Sequence, residues 1–422
     1  MTTGRASGRP PAGAMPGKPP RMGGVAPCRA RVYTNPDVGA TRGGTAVDTL
    51  RPLTGLAFGW VAAFVAMVQS GMLGAEGSPP GQWIAPEVSE FSEWSVACDN
   101  ARECTALSVS RDYLVRVWQT DPGDYATPKL WVTRRAGPDA RARVIVDTTV
   151  WGEAGAGEPP ASLHVYTPCD GDCTGRAYRL LPLQPGRYEL APADVAGFLA
   201  ESVQTDRAAT RFADGRMHGI ITTAGMTASL RFIDEVQQRR GTVTAFFAKG
   251  PRPARSVPPA PPLPRVAVVR GETTALETPI AFAPGILAAR AQLCPEAPIT
   301  GRDPLQVRYR LDSGQFLLGV GCSPEGQPPR RLWLIETPGH GFAPFALPRP
   351  EQGRLAEVPI LPNSSFDPAS GLLTAFSGEH CGWRRRWAWT GRAFAMVDAV
   401  EMPSCYGIPQ SQWLQTYRAI PG

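Results

Sequence analysis

The sequence predicts an α+β fold that is mostly β: two β-rich domains with a few packed helices, joined by a proline-rich linker. Three observations predict it. Short segments of alternating apolar residues, bounded by Gly, Pro, Asn and Asp, recur from residue 88 to 420. Only three stretches carry a helical spacing. A proline-dense run, "KGPRPARSVPPAPPLPR" at 249–265, divides the two groups of strands, because it favours extended geometry over helix or sheet interior.

Residues 1–50 are crowded with Pro, Gly and Arg and lack any apolar period. Such a stretch buries too little surface to offset the entropy of ordering. It reads as a disordered cytoplasmic tail or as the product of a start codon placed too early. Residues 51–75 follow with a positive flank at Arg51, a dense apolar core from Leu56 to Val68, and a small residue at a cleavage point within Leu73-Gly74-Ala75. That core has the length of a signal peptide's apolar region and falls short of the ~20 residues that span a bilayer. No charge separates Arg51 from Glu76, so a cleaved signal peptide and an uncleaved transmembrane anchor both stand. Either exports the rest of the chain, after a short linker at 76–87.

The first domain is expected over 88–250. "EFSEWSVACDNARECTALSVS" places Phe91, Trp94, Val96 and Cys98 before an Asp-Asn turn and Cys104, Leu107 and Val109 after it, a hairpin clipped by a disulfide. "YLVRVWQT" and "KLWVTRRAGPDARARVIVDTTVW" alternate likewise, with Gly137-Pro138 as a turn. "PADVAGFLAESV" sets Val195, Phe198, Leu199 and Ser202 on one helical face. A second helix sets Met226, Leu230 and Ile233 on another and is expected to stop at Gly241. On it, Asp234-Glu235 reads as a solvated face beside Arg231 or Arg239. A strand, "TVTAFFA", closes the domain.

After the linker (251–265) the second domain is expected over 266–420. It opens with a short helix, "PGILAARAQLC". A hairpin follows, with Val307, Tyr309 and Leu311 before Asp-Ser-Gly and Phe316, Leu318 and Val320 after it. "RRLWLIE" and "WRRRWAWTGRAFAMVD" supply further strands.

Charge and cysteines bound the function. The net charge of +6 lies wholly in residues 1–51, where eight basic residues face two acidic ones; the remainder carries 35 of each. A globally basic domain for a nucleic-acid backbone is therefore not present. Beyond Cys28, eight cysteines remain, and export to an oxidising compartment favours pairing. The local solution pairs Cys98 with Cys104, Cys169 with Cys173, Cys294 with Cys322 and Cys381 with Cys405. "CDGDCTGR" offers Asp170, Asp172, Thr174 and Gly175 at calcium-loop spacing, but the twelfth position is Leu181, so a tight disulfide loop is the better reading. The sequence implies no metal and no cofactor. His164, His218, His340 and His380 stand too far apart to show ligand spacing, and no hydrolase or nucleotide-binding motif occurs.

One stretch stands out as a candidate contact surface. In "CGWRRRWAWTGR", period two sets Trp383, Arg385, Trp387 and Trp389 on one face and Arg384, Arg386 and Ala388 on the other. Two readings compete. Aromatic strand residues serve cross-strand packing; alternatively, aromatic rings with arginines form a platform for sugar rings or an anionic glycan.

The ordered series "FSEWSVACDNAREC", "LWVTRRAGPDA", "IDEVQQRRGTVTA" with "VPPAPPLP", and "FDPASGLLTAF…CG…WAWTG" resembles the proteobacterial family catalogued as domain of unknown function 1176, over about residues 88–420. The opening "FSEWSVAC" also resembles the start of the invasion-associated locus B proteins. The first resemblance implies an exported, disulfide-bearing protein of a Gram-negative bacterium and no particular reaction. Two departures from its pattern are Glu379-His380 before the late Cys-Gly, and "CSPEGQ" after Cys322. The expected function is thus a periplasmic protein that binds or scaffolds, with an envelope glycan or another envelope protein as partner, no nucleic acid, and membrane contact only through an uncleaved 51–75. An envelope hydrolase using carboxylates and an inhibitor of a lysozyme-like hydrolase are the alternatives.

Overall fold

The computed structural model describes residues 88–108, 128–149, 158–166, 174–273, 284–297, 306–311, 313–324, 327–345, 347–351, 354–357, 360–405 and 408–422. The leader and export segment, the strand expected at 113–120, and the loop holding Cys169 and Cys173 lie outside them. Among the described residues the protein is mostly β, in several antiparallel sheets, and no helix is long and apolar enough to cross a membrane.

The first ten strands are β1 (Ser89–Phe91), β2 (Trp94–Cys98), β3 (Cys104–Ser108), β4 (Lys129–Arg134), β5 (Ala142–Asp147), β6 (Ser162–Tyr166), β7 (Thr174–Gln184), β8 (Arg187–Leu190), β9 (Arg207–Arg211) and β10 (Met217–Thr222). They form one sheet in the order β1-β2-β3-β4-β5-β8-β7-β6-β9-β10. Its ends are joined: Trp94 Nε1 donates to Thr222 O at 3.2 Å, and Glu93 N to Ala224 O at 3.3 Å. Helices α1 (Val195–Ser202) and α2 (Met226–Val236) fill the inner face. Alternation decides that face, since Trp94, Val96, Leu130, Val132, Val144 and Val146 point into one core with Phe198, Leu230 and Ile233. Both helices bury the expected residues, Val195, Phe198, Leu199 and Ser202 on α1 and Met226, Leu230 and Ile233 on α2.

Three local expectations are corrected. The helix α2 stops at Val236, short of Gly241, and Gln238 takes the left-handed turn at φ 56°. "TVTAFFA" is not a strand; its only ladder contact is an isolated bridge from Thr242 to Arg252. The cause is the third correction: Asp234 is buried, not solvated, and its carboxylate accepts the Phe246 N–H at 2.7 Å, pulling that segment into a turn.

The second half stacks two further sheets. Strands β12 (Gly271–Thr273), β13 (Val307–Leu311), β14 (Phe316–Gly321), β15 (Arg330–Thr337) and β16 (Gly341–Pro344) run in sequential order. They follow β11 (Arg265–Val266), while helix α3 (Pro284–Leu293) covers their outer face through Ile286, Leu318, Val320, Leu332 and Leu334. After β17 (Pro348–Glu351), β18 (Arg354–Glu357) and β19 (Ile360–Pro362) comes a five-stranded sheet. Its members are β20 (Ser365–Asp367), β21 (Leu372–Ser377), β22 (Gly382–Trp389), β23 (Phe394–Met402) and β24 (Leu414–Arg418). This sheet packs one face on the β12–β16 sheet through Leu311, Trp333, Leu373 and Trp387. Its other face meets the outer face of the first sheet, where Val400, Met402, Trp413 and Leu414 join Ala97, Leu107, Trp131 and Ile145. The layers thus run helix, sheet, sheet, sheet, helix.

Among the described residues three disulfides clip these layers: Cys98–Cys104, Cys294–Cys322 and Cys381–Cys405. The first joins directly paired positions of β2 and β3.

Candidate functional site

The arginine-tryptophan stretch forms β22, and Gly391, at φ 90°, turns the chain into β23. The expected alternation is present, but the face carrying the tryptophans looks inward. Trp387 and Trp389 are each 1% exposed and pack with Leu311, Trp333, Phe366 and Phe394 between the two sheets of the second half. Trp387 Nε1 donates to Pro348 O at 2.6 Å. These two rings cannot meet a ligand while the sandwich is closed, which corrects the platform reading for them: large aromatic surfaces gain most where a second sheet covers them. Arg385 is buried too, its guanidinium 4.2 Å above the Trp383 ring. Trp383 alone of the four sits half-buried at the rim. On the opposite face Arg384 and Arg386 both reach Asp398, at 3.3 and 3.1 Å, and Gln415 Nε2 donates to its other oxygen at 3.0 Å.

Asp398 follows a pattern. The buried aspartates among the described residues are Asp99, Asp147, Asp234 and Asp398, and each has an arginine partner. Asp147 pairs with Arg187 at 3.3 Å and accepts the Thr149 N–H and O–H. Beside it Lys129 Nζ donates to Thr149 O at 2.6 Å, and burial lowers the Lys129 pKa. Asp234 faces Arg134 at 3.8 Å. Burial raises its pKa and draws that of Arg134 down to about 10. Arg239 closes this group: its Nε donates to Gln237 at 2.8 Å, its Nη1 to Thr244 at 3.1 Å, and its Nη2 to Gly137 O. Asp99 accepts the Ala101 and Glu103 N–H groups at 2.9 Å and pairs with Arg418, while burial raises its pKa. Each of these carboxylates is held by an arginine, an arrangement that braces strands.

A different arrangement occupies the outer face of β6, β7, β9 and β10. The apolar cover of that sheet's outer face draws on β2 to β5, and beyond it Ala177 and Arg179 are exposed. Register sets Ser162 directly between Arg179 on β7 and Arg211 on β9, and one row along sets His164 between Ala177 and Ala209. The Ser162 hydroxyl lies 2.9 Å from His164 Nε2. Burial lowers the His164 pKa, and nearby Arg211 adds to the effect, so the neutral ring is favoured at pH 7 and shares one hydrogen bond with the Ser162 hydroxyl. Histidine spacing along the chain did not reveal this group. The signal that could have is the Ser-x-His alternation within one strand, "ASLHVY".

The fold and these arrangements define a disulfide-clipped, mostly antiparallel β protein whose buried charges hold its sheets together. The chain belongs to the family described as proteins of unknown function, DUF1176, which matches residues 88–420. It is similar to the uncharacterised protein YpfG of Escherichia coli strain K12, with 28% identity over 341 residues, covering 76% of this chain and 90% of that one. No solved structure matches it.

Proposed function

We propose that this chain is an exported protein of the cell envelope that works in the periplasm by binding or scaffolding, and not by turnover. The observation that carries this reading is the commitment of every buried aspartate among the described residues to an arginine. A carboxylate hydrolase needs a pair of acids with one group free to give or take a proton; here each buried aspartate is tied to at least one arginine and acts as a brace. The three disulfides support export, since such bonds persist in oxidising compartments. Trp383, half-buried at the rim with a guanidinium on one face, is the part of the aromatic strand suited to contact a glycan ring.

The test is co-sedimentation of the purified protein with peptidoglycan and with lipopolysaccharide, together with an assay of soluble fragments. Retention without release is expected, weakened severalfold by Trp383→Ala. Release of soluble fragments would replace the binding reading with the hydrolase. Neither retention nor release would remove both.

A further inference from the structure

The three bridges among the described residues differ in how far they are open to solvent. Cys98 and Cys104 are each 0% exposed, and Cys294 and Cys322 lie at 6% and 5%. Cys405 is exposed and Cys381 half-buried, with Gly378, Glu379, His380 and Pro403 exposed beside them in the chain. A thiol in solution reaches an exposed disulfide directly, whereas a buried one must wait for the surrounding structure to open.

Position in the fold separates the bridges as well. Cys98 and Cys104 face each other inside the β2–β3 ladder, and Cys294 and Cys322 join the core between α3 and its sheet. The Cys381–Cys405 bridge lies past the end of a ladder, since the last pair of β22 and β23 is Gly382 with Met402. It links the turn between β21 and β22 to the segment that follows β23. Other ties remain without it. The strands β22 and β23 stay paired from Gly382 to Trp389, Gln410 Nε2 donates to Gly378 O at 3.2 Å, and Ser404 Oγ donates to Glu90 at 2.5 Å. Further along, Ile408 is buried at the seam and its carbonyl accepts the Trp413 indole N–H at 2.8 Å. Opening the bond therefore frees the ends beyond the two strands and leaves the strands in place.

We propose that Cys381–Cys405 is a thiol-exchange site, and that its partner is a protein dithiol of the Cys-x-x-Cys class. The partner's first thiolate attacks Cys405 Sγ, the more exposed end. The bond between the two sulfurs breaks, a mixed disulfide forms, and Cys381 leaves as a thiolate that takes a proton from water. The partner's second thiolate then attacks its own sulfur in the mixed disulfide and releases Cys405. Two electrons pass from the dithiol to the bridge, and two protons follow by way of water. The bridge ends as two thiols and the partner as a disulfide; an oxidised partner runs the sequence in reverse. This site goes beyond the glycan-binding reading and does not depend on it.

The experiment treats the whole chain, without denaturant, with reduced thioredoxin or with dithiothreitol, and alkylates thiols at intervals for peptide mass spectrometry. Cys381 and Cys405 should be alkylated together, about tenfold or more faster than the other two pairs, which must open first. A thioredoxin whose second cysteine is replaced by serine should be trapped on Cys405. The double variant Cys381→Ser, Cys405→Ser should keep a cooperative thermal transition, with amide exchange quickened only in 378–382 and 403–405. Equal rates for the three bridges, or a need for urea, would overturn the site. A trap on Cys381 would overturn Cys405 as the attacked sulfur. Loss of the thermal transition in the double variant would make the bridge a staple of the fold and overturn its exchange role.

Discussion

Trp383 and Trp387 lie on the same face of one strand, yet truncation should affect them differently. Trp387 is enclosed between two sheets, so Trp387→Ala leaves a cavity and is expected to cost about 3–5 kcal/mol in urea denaturation. Trp383→Ala, at the rim, should cost well under half of that. An unmoved urea midpoint for Trp387→Ala would contradict its core placement. The histidines carry a pH signature. Burial lowers the pKa of both His164 and His218 below the ordinary 6.5. Below pH ~6.5 the unfolded chain takes up protons there that the folded chain refuses, so acid favours unfolding. Stability should be fully present above that pH and fall as pH drops through the folded pKa values. Replacing both with Gln should flatten the profile between pH 7 and 5; an unchanged slope would show that other groups set it.

At the scale of elements, the Cys294–Cys322 bridge fixes the end of α3 against the end of β14 across a sequence separation of 28. Replacing both cysteines with serine removes a loop constraint worth about 3.5 kcal/mol in the chain-entropy account. Urea denaturation should show that loss, and amide exchange should quicken first in α3. Equal exchange throughout would mean that Ile286 and its neighbours hold the helix without the bridge. The strand pairs and helix faces were legible because they depend on local period and turn residues, as with Val307–Leu311 and Phe316–Gly321 around Gly314 at φ 76°. What period two does not encode is which face meets another sheet. That is why the Trp387 face, correctly aligned, was open to a solvent reading. Asp234 departs from the expected solvated face for a related reason: the Arg134 facing it lies on β4, distant in sequence. "TVTAFFA" has strand composition, but its N–H groups at Phe246 and Phe247 are taken by the Asp234 carboxylate. The Ser162–His164 group was readable in principle from alternation, whereas its arginine flanks required the order of β7, β6 and β9.

For the whole molecule, the decisive seam is the one between the outer face of the first sheet and the five-stranded sheet. Its apolar part joins Trp131 and Ile145 to Met402 and Leu414. Its polar part is built on the first hairpin turn. Asn100 accepts the Arg418 N–H at 2.8 Å and donates to Arg418 O at 2.9 Å, while the Arg418 guanidinium holds Asp99 and, at 3.0 Å, Glu103. The Asp-Asn turn thus caps the edge strand β24, whose neighbour β23 carries Asp398 and its two arginines. Arg418→Ala would strand the buried Asp99 carboxylate, so a loss of about 2–4 kcal/mol is expected. Because that loss falls at the seam, calorimetry should show the two halves beginning to unfold separately, as a broadened or split transition. Adding Asp99→Asn should recover part of the loss by removing the stranded charge, without restoring a single sharp transition. If Arg418→Ala leaves both midpoint and width unchanged, the apolar contacts of Trp131, Ile145, Met402 and Leu414 hold the halves by themselves, and the charged lock is ornamental to stability.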